Sequence, residues 1–234
     1  MILKEEIDSN KIEAEKMIEA GLHFGHKKNK KHPKMEPYIY GVRGGVNIID
    51  VSKTEEKMKE AFDFLLDVVS KDGKVLVVGT KVQFKDIVKS FAEKCNFAYV
   101  TERWLGGTLT NFDNIKKRVD YLKDLEKQKE DGSLEKYTKK EQLDISREIE
   151  SLKKKFEGLK SLSKFPDVVF VLDMEKDYLA VKEALDKNIK IVAIADTNVN
   201  PELANYIIPA NDDAVSSVSY ILNNLKEKVL SLKK

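Results

Sequence analysis

Four short runs of this chain are apolar almost without interruption: Val75-Leu-Val-Val78, Phe97-Ala-Tyr-Val100, Asp167-Val-Val-Phe-Val-Leu172 and Lys190-Ile-Val-Ala-Ile-Ala195. A strand with one wet face alternates apolar and polar residues. A strand that is apolar throughout is covered on both faces, as in a parallel sheet. Between these runs the apolar positions change to helical spacing. Val82, Phe84, Ile87, Val88, Phe91 and Ala92 mark one helix within residues 81–94, and Leu179 to Leu185 lies on another. A Pro201-led short helix, a fifth strand at Tyr206-Ile-Ile208 and a closing helix from Asp212 to Leu232 complete the alternation. Upstream, Glu55 to Val69 reads as a helix, with Ser52 and Glu55 as its capping box. Strands alternating with amphipathic helices predict a three-layer α/β fold. Its mostly parallel sheet is flanked by helices, in the flavodoxin- or Rossmann-like manner.

The alternation breaks at residues 111–160, which hold neither an apolar strand nor a proline. Phe112, Ile115, Val119 and Leu122 are spaced 3, 4, 3, and Ile145, Ile149, Leu152, Phe156 and Leu159 are spaced 4, 3, 4, 3. Both are seams of the coiled-coil kind. Asp131-Gly132-Ser133 supplies a turn, and Thr138 with Glu141 restarts a helix through a capping box. The expected organisation is therefore an α/β globular domain from residues 1–110 and 161–234, interrupted by an antiparallel coiled-coil hairpin at 111–160. At 1.5 Å per residue its arms are roughly 30 Å long.

Composition narrows the class. The 234 residues are 41% hydrophobic and 35% charged, which is a water-soluble composition with a highly charged surface. No window of 18 apolar residues exists, so no membrane partner is expected. Met1 to Asn10 carries acids and lacks the apolar core of a secretory leader. The single Cys95 forms no internal disulfide, which fits a reducing cytoplasm. Forty-two basic residues against 40 acidic ones leave a net charge of +2, so any nucleic-acid contact must come from a local patch.

Two such patches stand out. In His26-Lys-Lys-Asn-Lys-Lys-His-Pro-Lys34, five of nine residues are Lys: Lys27, Lys28, Lys30, Lys31 and Lys34. Tyr38, Tyr40 and Arg43 follow closely, and cations beside aromatic rings suit phosphate contact with base stacking. The second is Arg103-Trp-Leu-Gly-Gly-Thr-Leu-Thr-Asn-Phe112, which sits between a strand and the first hairpin helix. Its paired glycines allow an unusual backbone path. Arg103 offers a forked cation for phosphate, and the only Trp, Trp104, is expected to be buried under the turn.

A metal is the other candidate chemistry. Asp196 ends the fourth strand, and Asp212 and Asp213 open the last helix, so parallel strand ends would bring the three carboxylates together around a divalent ion, Mg or Zn. Helix capping by Asn211 and Asp212 is the simpler reading. His23 and His26, three apart, can meet on one helical face but read as ordinary packing. No phosphate-binding glycine loop and no Ser/His/Asp elbow is present, so no catalytic residue is assigned. The rival function is a nucleotide-binding α/β enzyme using the strand ends around Gly79, Asp196 and Asn198.

Taken in order, these segments resemble the universal S-two family of small-subunit ribosomal proteins in its bacterial form. The resemblance rests on Gly21-Leu-His-Phe-Gly-His26, Pro33-Lys-Met35, Tyr38-Ile-Tyr-Gly-Val-Arg43, Asn47-Ile-Ile-Asp50, Gly79-Thr-Lys81, the Arg103 run, Asp196-Thr-Asn198 and Pro209-Ala-Asn-Asp-Asp213. It spans residues from about 17 to about 222. It implies a structural, non-enzymatic protein of the cytoplasmic ribosome with no required cofactor. It implies contacts with small-subunit rRNA and neighbouring ribosomal proteins, support for docking of the mRNA-recruiting protein S-one, and no homo-oligomer.

Overall fold

The computed structural model describes residues 13–232, so the Met1–Asn10 stretch lies outside it. Residues 13–19 form α1. Three short strands follow, β1 (Phe24–Lys27), β2 (Ile39–Arg43) and β3 (Val46–Ile49), pairing antiparallel in the order β1-β3-β2. 3-10 segments at Lys28–Lys30 and Pro33–Tyr38 join β1 to β2. The pattern of apolar positions had not marked this sheet. His23 and His26 are not partners on a helix, because Phe24–Lys27 is extended and pairs with β3.

The main body is a five-stranded parallel sheet: β4 (Val75–Val78), β5 (Ala98–Val100), β6 (Val168–Val171), β7 (Lys190–Ala195) and β8 (Tyr206–Pro209), in the order β5-β4-β6-β7-β8. All four pairings are parallel. Side chains of a strand point alternately to the two faces, and both faces here are dry. Val75, Val77, Val168, Phe170, Val192 and Ile194 pack under α2 (Val51–Ser70), α3 (Lys85–Cys95) and α7 (Val215–Leu232). Leu76, Val78, Val169, Val171, Ile191 and Ala193 face the other way, against α6 (Tyr178–Asp186) and the segment from Trp104 to Leu162. Each fully buried Val, Leu, Ile or Phe contributes roughly 1.5–3 kcal/mol. This is the three-layer α/β fold, and its strand order is the flavodoxin-like one.

Local signals mostly hold. Thr138 and Glu141 form the capping box of α5 (Lys139–Phe156), and Gly132 takes φ +69° in the turn before it. The α2 cap differs from expectation. The helix begins at Val51, and Asp50 accepts from the Ser52 amide at 3.0 Å, so Ser52 is inside the first turn.

Two helices flank the expected turn, α4 (Phe112–Glu130) and α5 (Lys139–Phe156). Their apolar faces do not form a closed seam of their own. Val119, Leu122, Leu125, Ile149 and Phe156 join the same buried cluster as Leu76 and Val169 of the sheet. Polar contacts between the helices link Tyr121 to Glu148 and Glu126 to Lys153, and Glu126 also pairs with Lys160 beyond the end of α5. From residue 121 to 126 the partner advances from 148 to 153, whereas an antiparallel ladder would retreat. The coiled-coil geometry therefore stays an inference from the sequence. After α5 the chain passes Gly158 against the edge of β5, where any side chain would overlap the Tyr99 carbonyl.

Candidate nucleic-acid interface

The basic residues are positioned by the antiparallel sheet. Lys27 on β1 and Arg43 on β2 both pair with Val46 of β3, so register places them on either side of one residue. The β2–β3 turn is Gly44-Gly45, with φ of +58° and +79°, and the Lys28 amide donates to the Gly45 carbonyl at 2.9 Å. This bond holds the Lys28–Lys30 turn beside Arg43. Lys27, Lys28, Lys30 and Arg43 are all exposed, and among the described residues none has an ion-pair partner. Lys31 and Lys34 differ: their ammonium groups are engaged by Glu36 and Glu202. Arg103 is exposed too, but it follows β5 at one edge of the parallel sheet, three strands away from β7, where the antiparallel sheet attaches. The seven predicted cations thus split into one contiguous group of four, two internally paired, and one apart.

On the same small sheet His23, Phe24, Tyr40, Val42, Arg43 and Ile48 line a groove of about 400 Å³. Tyr40 is 81% exposed, and Phe24 and Val42 are half exposed. Large apolar side chains grouped in water mark an interaction surface.

The parallel strand ends carry a charge cluster centred on Lys81, which the sequence offered only as part of the Gly79-Thr-Lys81 segment. Lys81 follows β4, and its Nζ lies 2.6 Å from Asp173 after β6, 3.0 Å from Asp212 after β8, and 2.8 Å from Asp213. It also donates to the Asp212 carbonyl at 2.8 Å. Burial works against charge on Lys81, but Asp212, Asp173 and Asp213 outweigh it and raise the ammonium pKa. His26 Nδ1 sits 2.9 Å from Asp196 and Nε2 3.5 Å from Asp213. The bond to Asp196 raises the imidazole pKa against the effect of burial. Burial, then Asp173, pushes the Asp212 carboxyl up.

Asp196, Asp212 and Asp213 therefore do converge, but around Lys81 and His26. Asp212 does not cap α7. Asn211 shapes the turn before the helix instead, accepting from the Asp213 and Ala214 amides at 2.8 and 3.1 Å ahead of the first helical residue, Val215. His26, Asp196 and Asp212 each offer a ligand atom within 4.8 Å of the others. One ring nitrogen with two carboxylates is a donor set for zinc, since magnesium prefers an all-oxygen octahedron. His26, not Asp213, completes this set with Asp196 and Asp212. A signal was available: Lys81, Asp173, Asp196 and Asp212 are each the first ionisable residue after an apolar strand.

The crevice beyond the strand ends is where open α/β sheets bind ligands. Lys81 projects into that region, and its ammonium is already shared among three carboxylates. Among the described residues no helix is long and apolar enough to cross a membrane.

Comparison with known proteins fits this picture. The family model described as "Ribosomal protein S2" matches residues 17–231. Two relatives described as "Small ribosomal subunit protein uS2" come from Francisella tularensis subsp. novicida strain U112 and subsp. tularensis strain WY96-3418. Each is 45% identical over 214 residues, covering 92% of this chain and 90% of the relative. A match of that extent means that the chain belongs to the ribosomal protein S2 family.

Proposed function

We propose that the chain binds small-subunit rRNA through the rim of its antiparallel sheet, with Lys27, Lys28, Lys30 and Arg43 as the main phosphate contacts and Arg103 as a separate one. As a member of the S2 family it is a structural constituent of the small ribosomal subunit, works in translation, and is not an enzyme. The single observation that carries the rRNA reading is the unpaired state of those four neighbouring cations. Grouped on one rim and without an ion pair among the described residues, these side chains can turn to a phosphate backbone. Lys31 and Lys34 join only if their pairs with Glu36 and Glu202 open.

The groove at Phe24 and Tyr40 lies on the same sheet, and its apolar, aromatic lining suits a protein partner better than a phosphate backbone. We assign it to docking of a neighbouring ribosomal protein, with S-one the candidate that the family resemblance implies. A divalent ion, zinc by donor chemistry, is a second property favoured by the convergence of His26, Asp196 and Asp212. It would tie β1 to the ends of β7 and β8. No cofactor is required for the structural role.

The test is a triple Lys27→Ala, Lys28→Ala, Lys30→Ala variant and a single Arg43→Ala variant. Both should fold normally, since the changed side chains are exposed. Each lost duplex-phosphate contact should flatten the dependence of log affinity on log salt by about 0.9. The triple variant should therefore lose up to roughly 3 in slope and join the subunit poorly. An unchanged slope with normal incorporation refutes the phosphate role. Zinc is tested separately, by whether added Zn²⁺ raises the melting midpoint of the chain and His26→Gln abolishes the rise.

A further inference from the structure

Glu183 lies on the buried face of α6, between Ala180 and Ala184, and is 4% exposed. Among the described residues no Lys, Arg or His pairs with it. Its carboxylate is instead surrounded by donors from one stretch of chain. Oε1 accepts from the Trp104 indole at 3.2 Å and the Gly107 amide at 2.8 Å. Oε2 accepts from the Leu109 amide at 2.9 Å, the Thr110 amide at 3.1 Å and the Thr110 hydroxyl at 3.2 Å. A carboxylate has about four lone-pair sites, so five donors saturate it. Hydrogen bonds from backbone amides to a charged acceptor are among the strong ones.

The loop is built for this acceptor. Gly107 takes φ +92°, a backbone region that favours glycine and that turns successive amides inward. Leu109 is fully buried, so its amide has no water to fall back on. The same ten residues carry the exposed Arg103 at one end and lead into α4 at Phe112 at the other. Their path is fixed neither by a strand nor by a helix, and the bonds to Glu183 are the main polar restraint on it.

We infer that Glu183 is the positioning residue of the segment from Trp104 to Thr110, holding Arg103 and the start of α4 in the orientation used for rRNA contact. The last clause rests on the rRNA reading of Arg103, and the experiment separates the two. Trp104 is the only tryptophan, so its emission reports on this loop alone. Glu183→Gln keeps the shape of the side chain but replaces one acceptor with an amide that faces the loop's own donors.

The Gln variant should unfold cooperatively, show red-shifted Trp104 emission, and exchange the Gly107, Leu109 and Thr110 amides about tenfold faster. Its affinity for transcribed small-subunit rRNA should fall to near that of Arg103→Ala, and the double variant should bind no worse than Arg103→Ala alone. Should Glu183→Gln fail to fold, Glu183→Asp, which keeps the charge but withdraws it from the loop, carries the same measurements. Unchanged emission and exchange overturn the inference. A loosened loop with full rRNA affinity, beside a defective Arg103→Ala, also overturns it and leaves the rRNA reading standing. If Arg103→Ala binds as well as wild type, the rRNA reading of Arg103 is what fails, and Glu183 is then judged on the emission and the amides.

Discussion

Replacing Lys81 with Met tests whether the charge cluster holds the strand ends together. Met keeps most of the side-chain length and removes the ammonium. Two of the carboxylates it serves, Asp173 and Asp212, are 5% and 2% exposed at the side chain, and Lys81 itself is 14% exposed. Asp213 is 59% exposed and can turn to water, so it adds little. The loss is therefore that of one buried cation from two buried anions. Removing one partner of a buried pair costs about 3–5 kcal/mol, because the remaining charge stays without compensation. At roughly 2–4 °C per kcal/mol for a chain of this size, the melting midpoint should drop by about 6–20 °C. A double-mutant cycle identifies the cause. Asp212→Asn alone should destabilise, but in the Lys81→Met background it should restore about 1–3 kcal/mol, since it removes the stranded charge. Urea denaturation of the four proteins gives every value needed. If Lys81→Met unfolds at the wild-type midpoint, or if the two substitutions simply add, the cluster is not the restraint described.

Trp104 is 6% exposed, so Trp104→Ala should cost ~3–5 kcal/mol in urea denaturation; a near-neutral result with failed assembly would place its ring against RNA instead. Gly158→Ala forces a methyl into the Tyr99 carbonyl and should destabilise by about 1–3 kcal/mol, readable as a lower midpoint. Deleting residues 114–156 across a short Gly/Ser linker should leave a cooperative unfolding transition at a lower midpoint, because β4, β6 and β7 keep α2, α3, α6 and α7 as cover. A broad, non-cooperative transition would show that α4 and α5 belong to the main core rather than to a separable unit.

The parallel sheet was legible because burial on both faces leaves a simple trace: runs such as Val75–Val78 and Lys190–Ala195 have no polar alternation. The antiparallel sheet left none. Its strands are four or five residues long, β1 and β2 are largely exposed, and register slips in both pairings interrupt any period of two. The three-residue spacing of His23 and His26 allowed a shared helical face, and nothing else in the segment pointed to a strand. The exposed lysines could be read directly, but which of them are already paired could not. Glu202 lies 168 residues from Lys34, and only the fold brings them together. Lys81 was missed for the same reason. Its partners at 173, 212 and 213 lie beyond two other strand ends, those of β6 and β8, and nothing local to Gly79-Thr-Lys81 announces them. Glu183 had one local sign, an acid among the apolar residues on the buried face of α6.

The Lys81 cluster also orders events in time. A chain is made from its N-terminus, and domains begin to fold as they emerge. Lys81 and β4 are present early, but Asp212 is made 131 residues later. Until then the ammonium has no Asp212 carbonyl to donate to, and β7 lacks β8 along its outer edge. Contacts between residues so distant in sequence form late, because the loop must close before the contact repays it. His26 waits in the same way for Asp196 and Asp213, 170 and more residues downstream. The small sheet that carries Lys27 and Arg43 can first be anchored to the body once Asp196 and Thr197 follow β7, and Asp213, beyond β8, completes the tie, so the end of the chain sets when the basic rim takes its final position.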